Sequence, residues 1–419
     1  MVTLLFSGDS MKKITLRGGK ALCGEVTVSG SKNAALPIIF ACILTKGISK
    51  IRNLPDIGDT RVALELLNSF GAKVTCADGV TYVDTSNLSY TPPSDVLVSR
   101  IRASTYLLGA LLARFGRCPI LAFGGCNFAG RPIDMHIDAC LAFGGALCNN
   151  EITASKLSGV EINFRKKSVG ATVNALLLAA TAAGKTIIRG AAREPHIDAL
   201  IDFLISCGAK IKRVGDELHV LGAELHGGEI SIIGDMIEAG TYLTVGLITG
   251  GSVCVSNCPV ADMDAIFDLL RSLGATLLIN NASVTSKLWD KGNTVNIFAT
   301  PYPGFPTDLQ PIFASLIAAF SGGEITDTVW QNRFGYLNAL SAFGVRYETC
   351  GNHATIYPSD IKNGIATAPD LRGGMACLLA ALRAEGESVI YSAETILRGY
   401  ENLEEKLRAI GADIKIDNT

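Results

Sequence analysis

Lys32 and Arg102 stand where helical runs begin, and Arg131, Arg193, Arg333 and Arg398 stand near the starts of four further runs. A helix start carries unpaired backbone N–H groups and partial positive charge, so anions settle there readily. A guanidinium adds a planar fork that clamps a carboxylate or phosphate at two points. Singly, each arginine reads as a surface ion-pair partner; as a set at related positions, the arginines suggest one shared anionic ligand. Cys126 lies in Phe123-Gly124-Gly125-Cys126-Asn127-Phe128-Ala129-Gly130-Arg131-Pro132, a glycine-rich run suited to a closing lid. Arg131 would favour its thiolate, and a reactive thiol and an incidental one both stand as readings. Asp308, in Phe305-Pro306-Thr307-Asp308, also reads two ways: a general base if burial raises its pKa, or a helix cap.

Those residues must be positioned by elements, and the elements repeat. A Gly that ends a helical run and enters a strand recurs at Gly71, Gly144, Gly208, Gly274, Gly344 and Gly411. A second series, Gly47, Gly116, Gly184, Gly250, Gly323 and Gly386, precedes the first by about 20 to 28 residues. Both series look like helix C′ positions, where a left-handed backbone favours Gly. In the first repeat, alternation predicts strands over 25–29, 48–53, 73–76 and 80–84 and helices over 33–44 and 60–70. In the third it predicts strands over 160–164, 186–189, 210–213 and 217–221 and helices over 169–182 and 197–207. The unit is therefore β-α-β-α-β-β, and its helices, apolar on most faces, should pack inward under a sheet. Six such units, three to a domain, fit the length of 419 residues.

Composition excludes several classes. With a net charge of −2 and 18% charged residues, the chain has no basic field of the kind nucleic acid attracts, so any anion site is local. No apolar run approaches the roughly 18 residues that cross a bilayer. Residues 1–10 lack the basic lead of a secretory signal and read as a disordered extension, with Met11 as an alternative start. The chain has 12 cysteines but no Cys-x-x-Cys, and its five histidines are scattered, so no metal site is expected. Cys42, Cys140, Cys207 and Cys377 sit among apolar neighbours as small hydrophobes. Free thiols without an export signal point to a reducing cytoplasm.

The motif set resembles a known family. Ser29-Gly30-Ser31-Lys32-Asn33-Ala34-Ala35-Leu36-Pro37, the Cys126 loop, Ser168-Val169-Gly170-Ala171-Thr172, Ala191-Ala192-Arg193-Glu194-Pro195, Phe305-Pro306-Thr307-Asp308, Asn332-Arg333-Phe334 and Arg398-Gly399-Tyr400-Glu401 occur in order from about Lys12 to the C-terminus. Together they closely resemble the enolpyruvyl transferases that act on UDP-N-acetylglucosamine, the UDP-N-acetylglucosamine 1-carboxyvinyltransferases. The resemblance implies an inside-out α/β barrel in two domains, 32–233 with a lid at about 121–134, and 1–31 plus 234–419, with the active site in the cleft between them. It implies transfer of the enolpyruvyl group of phosphoenolpyruvate to the sugar 3′-hydroxyl, with release of phosphate and no cofactor, at the first committed step of peptidoglycan synthesis. Lys32, Arg131 and Arg398 would hold phosphoenolpyruvate, with Asn33, Asp370 and Arg372 nearby. Arg102, Arg131, Pro132, Ile133, Asp134, Met135, Lys166, Lys167, Ser168, Val169, Asp308 and Val329 would contact the UDP-sugar. Cys126 would protonate the methylene carbon and be alkylated by fosfomycin, and Asp308 would help take the hydroxyl proton. Gly58, His196, Trp330 and Gly373-Gly374 depart from the family's usual residues, and the two glycines are expected to loosen the helix start after Arg372. The rival readings are 5-enolpyruvylshikimate-3-phosphate synthase, which shares the fold and the donor, and a catalytically idle UDP-sugar-binding paralogue. No membrane, nucleic acid or obligate protein partner is expected.

Overall fold

The computed structural model describes residues 11–124, 132–288 and 292–419, so Cys126 and Arg131 lie outside the described residues. The described chain divides into two compact units, one spanning Gly30 to Ile233 and the other holding residues 11–29 together with Gly234–Thr419.

The repeat is present, and the third copy shows why it folds this way. Its elements are the strand Glu161–Asn163, helix Val169–Ala179, strand Lys185–Arg189, helix Pro195–Ser206 and the strand pair Lys210–Val214 and Glu217–Leu221. Lys185–Arg189 runs parallel to Glu161–Asn163, and a parallel pair needs a crossover, which the helix between them supplies. The last two strands form an antiparallel hairpin that extends the sheet to four. Val169–Ala179 is apolar all round, and every residue from Ala171 to Ala179 is buried. The helices therefore lie inside and the sheets outside, and each unit is an inside-out α/β arrangement.

In the first unit the inner helices are Lys32–Ala41, Leu107–Phe115 and Val169–Ala179; in the second they are Met236–Ile248, Gln310–Ala318 and Leu371–Arg383. Each trio sits in its own hydrophobic core. Gly109 allows two of them to touch: a Cβ there would stand 2.8 Å from Asn174 Oδ1 and 2.9 Å from its carbonyl oxygen. Instead the Gly109 N–H donates to Asn174 Oδ1 at 2.6 Å, joining the two helices by a backbone-to-side-chain hydrogen bond. All twelve glycines of the two series take positive φ, a conformation that favours Gly, although Gly323 and Gly386 open strands rather than directly follow a helix.

The opening strand is where serial repetition fails. A strand was expected at 25–29 in the first repeat, but the observed strand Cys23–Thr27 runs parallel to Ser252–Ser256 and completes a sheet of the second unit. Glu229–Ser231 supplies the first repeat's opening strand, parallel to Ile48–Arg52. Likewise Lys12–Gly18 lies between Gly386–Tyr391 and Asp413–Asn418. Alternation identifies a strand and its buried face, whereas the partner is set by which sheet still has an open edge. The second repeat also differs: its sheet has three described strands, and Asp95–Arg100 is a helix.

Candidate functional site

In the first unit, Lys32 is the first residue of its helix, and Ser31 before it makes no side-chain capping bond. The Lys32 ammonium lies 3.2 Å from Asp59 Oδ2, on the second helix of the same repeat, Gly58–Ser69. Asp59 is buried, and sequence reasoning gave it no role. Asn33 follows in the first helical turn and is half-buried. Arg102 opens the short helix Arg102–Tyr106, and burial lowers its pKa.

Two further helix starts of this unit come together. Asp134 begins Asp134–Ala142, after exposed Pro132 and half-buried Ile133 and before buried Met135. Its carboxylate accepts from the Met135 N–H and pairs with Arg165, which hold its pKa below the usual carboxylate range. Ser168 caps Val169–Ala179 by accepting from the Ala171 N–H at 3.3 Å, with exposed Lys166 and Lys167 just ahead of it. The His136 ring bridges the two, because a Cβ on Gly170 would stand 2.3 Å from its Nε2. Burial, reinforced by Arg102, pushes the His136 pKa down to about 4, so the ring is neutral at pH 7.

The second unit holds the most connected group. Asp308 was open to two readings, and the cap is the wrong one: the helix begins at Gln310 with Leu309 in the cap position. Its carboxylate is instead gripped by two buried guanidiniums, with Arg333 Nη2 at 2.8 Å from Oδ1 and Arg372 Nη2 at 3.1 Å from Oδ2. Local geometry explains the difference, since Pro311 occupies the first helical turn and the chain reaches the helix only after Asp308 has turned toward the arginines. Arg372 also lies against Tyr400, donating to its hydroxyl at 3.3 Å, and that hydroxyl meets Thr241 at 2.9 Å. Burial alone would lower the Arg372 pKa, but the Asp308 carboxylate outweighs it and the guanidinium stays charged.

Asp370 caps Leu371–Arg383 by accepting from the N–H groups of Arg372 at 2.9 Å and Gly373 at 3.0 Å. The expectation that Gly373-Gly374 loosens this start is overturned by packing. A Cβ on Gly373 would stand 2.7 Å from Tyr336 Cβ, and one on Gly374 would stand 2.8 Å from Ala368 Cβ, so both glycines let neighbours close in. Val329 is half-buried and donates its N–H to Asp327. Arg398 is half-buried, at the end of the short helix Glu394–Leu397.

The arginine set does not behave as one. Arg333 is buried on Asp308, whereas Arg193 is half-exposed and paired with exposed Asp216 at 3.0 Å, an ordinary surface ion pair. A second buried cluster joins one motif residue, Ser29, to two residues outside the motifs: Lys406 Nζ lies 2.6 Å from Glu238 Oε1 and 2.7 Å from Ser29 Oγ. Burial pushes the Glu238 carboxyl up to about 7 against the pull of that ammonium. The described cysteines are all free, and burial raises those at 140, 258 and 377 to about 12, which makes them packing residues rather than nucleophiles. No described helix is long and apolar enough to cross a membrane.

The family model for EPSP synthase (3-phosphoshikimate 1-carboxyvinyltransferase) matches residues 16–407. The UDP-N-acetylglucosamine 1-carboxyvinyltransferase of Halothermothrix orenii is 39% identical over 97% of this chain and 99% of its own length. That of Chlorobaculum parvum is 38% identical, over 97% and 98%. Among solved structures, the enolpyruvyl transferase NikO from Streptomyces tendae matches with a TM-score of 0.87 at 26% identity, over 98% of this chain and all of that one. An EPSP synthase from Acinetobacter baumannii shares the fold, with a TM-score of 0.74 at 17% identity over 97% of this chain and 100% of that one. With its repeat, its fold and nearly its whole length in common with these proteins, the chain belongs to the enolpyruvyl transferase family.

Proposed function

We propose that the chain transfers the enolpyruvyl group of phosphoenolpyruvate to the 3′-hydroxyl of UDP-N-acetylglucosamine, releasing phosphate, as the first committed step of peptidoglycan precursor synthesis in the cytoplasm. The observation that carries this reading is the identity of 39% with a relative of that name across 97% of the chain.

The reaction is an addition followed by an elimination. Cys126 gives a proton to the methylene carbon, the neighbouring carbon becomes electron-poor, and the sugar oxygen adds to it while Asp308 takes the hydroxyl proton. Loss of a methyl proton and of phosphate then restores the double bond. Lys32, Asn33, Arg131, Asp370, Arg372 and Arg398 hold the donor, whose charge calls for fixed cations. Arg102, the stretch 131–135, Lys166, Lys167, Ser168, Val169 and Val329 hold the nucleotide sugar. The two buried arginines on Asp308 bear on this role by geometry, because their contacts at 2.8 and 3.1 Å fix the direction of its carboxylate.

Phosphate release from phosphoenolpyruvate with UDP-N-acetylglucosamine, compared with shikimate 3-phosphate, tests the reading. Turnover is expected with the nucleotide sugar alone; release with shikimate 3-phosphate alone reverses the assignment. Fosfomycin should abolish turnover, and Cys126→Asp should keep turnover while resisting the drug. Inactivation of that variant as fast as the parent would show that the drug acts elsewhere.

A further inference from the structure

Asp327 ends the strand Gly323–Asp327 and is 1% exposed, yet it is an ionisable group that no part of the proposed mechanism uses. Its two oxygens face different partners. Oδ1 accepts from the N–H groups of Val329 and Trp330, each at 2.9 Å, which fixes the turn carrying Val329. Oδ2 accepts from the Thr307 hydroxyl at 2.5 Å. Arg333 Nη1 donates to the same hydroxyl at 2.6 Å, and its Nη2 donates to Asp308 at 2.8 Å.

The polarity of this chain is fixed by chemistry. A guanidinium can only donate, so Thr307 accepts from Arg333 and its own hydrogen must go to Asp327. A carboxylate at 327 is the one side chain of this length that accepts on both sides. An amide there would turn its NH₂ group either toward the two backbone N–H groups or toward Thr307, and in either orientation a buried contact is lost. A carboxylate that served only to hold its own turn would account for the contacts of Oδ1 and leave those of Oδ2 without a purpose.

Resting on the function proposed above, we infer that Asp327 is a positioning residue for the reaction. Through Thr307 and Arg333 it sets the direction of the Asp308 carboxylate, and through Val329 it sets a contact to the acceptor sugar. One buried carboxylate thereby keeps the proton acceptor and part of the acceptor subsite in register.

The test compares Thr307→Val, Thr307→Ser, Asp327→Asn and the Thr307→Val/Asp327→Asn double variant, with kcat and both KM values measured by phosphate release and folding followed by thermal unfolding. Thr307→Val should lower kcat by about tenfold or more, since small misplacements of a reacting group cost that much, and leave the KM for phosphoenolpyruvate within about twofold. Thr307→Ser, which keeps the hydroxyl, should restore the parent kcat. Asp327→Asn should lower kcat and also raise the KM for UDP-N-acetylglucosamine, and the double variant should lose less than the sum of the single losses. A parental kcat in folded Thr307→Val overturns the inference, as does a Thr307→Ser variant as slow as Thr307→Val. If Thr307→Val does not fold, a folded Asp327→Asn with unchanged kcat and KM overturns it equally. Should the parent itself fail to turn over phosphoenolpyruvate with UDP-N-acetylglucosamine, the functional reading falls and this inference falls with it; a working parent with unaffected variants refutes the inference alone.

Discussion

The helix starts at Lys32 and at Asp370 occupy equivalent places in their repeats and are finished in opposite ways. Asp370 turns its carboxylate back onto two N–H groups of its own helix. Ser31 makes no such bond ahead of Lys32, and the first turn carries an ammonium instead. One start has its donors taken by an internal anion; the other adds a cation to them. Repetition thus fixes where helix ends lie, and single residues decide whether an end is capped by its own carboxylate or carries a cation, here one paired with Asp59.

The largest test of this contrast is removal of the cation. Lys32→Ala leaves Asp59, 4% exposed, without its ammonium, and should cost about 3 kcal/mol in urea unfolding. The same variant should raise the KM for phosphoenolpyruvate by about a hundredfold, as expected when a charged hydrogen bond to a ligand is lost. An unchanged KM would show that this start is not the donor's anchor.

A third start, at Ser168, is backed by the neutral His136 ring and sharpens the comparison through pH. With its pKa lowered to about 4 from 6.5, the folded protein binds this proton less readily than the unfolded chain. The stability tied to it is therefore present above about pH 6.5 and is lost as pH falls toward 4, by about 3 kcal/mol in all. Urea unfolding at stepped pH should show the loss in the parent and a flatter profile in His136→Gln.

The cap variants give the smaller effects, and their order matters. Asp370→Ala frees two backbone N–H groups and should cost about 2 kcal/mol, whereas Ser168→Ala gives up one contact at 3.3 Å and should cost about 0.5 kcal/mol. Chemical unfolding of both checks the ranking. Equal losses would mean that the cap bonds do not distinguish these starts.

Much of this was legible in residue order. The strands Val80–Asp84 and Glu217–Leu221 were placed to the residue, because alternation and flanking turn residues are local signals. Lys32, Ser168 and Asp370 were placed at helix starts for the same reason. The residues around Asp308 leave a general base and a helix cap both open, since each is a carboxylate just ahead of a helix, and its two arginine partners carry no local signal. Asp59 and Asp327 were missed, and no spacing marks them: each acts on a residue about 20 to 27 positions away.

By itself the sequence determined the six-fold β-α-β-α-β-β pattern, the buried inner helices and the glycine breaks between them, because periodicity and backbone freedom act over a few residues. Only the tertiary structure decided that Cys23–Thr27 joins Ser252–Ser256, that two arginines from separate repeats grip one carboxylate, and that Gly373 and Gly374 make room for neighbours. Partner choice across a long stretch of chain depends on which edges and buried charges remain unsatisfied once the local elements have formed, and that is a property of the folded whole.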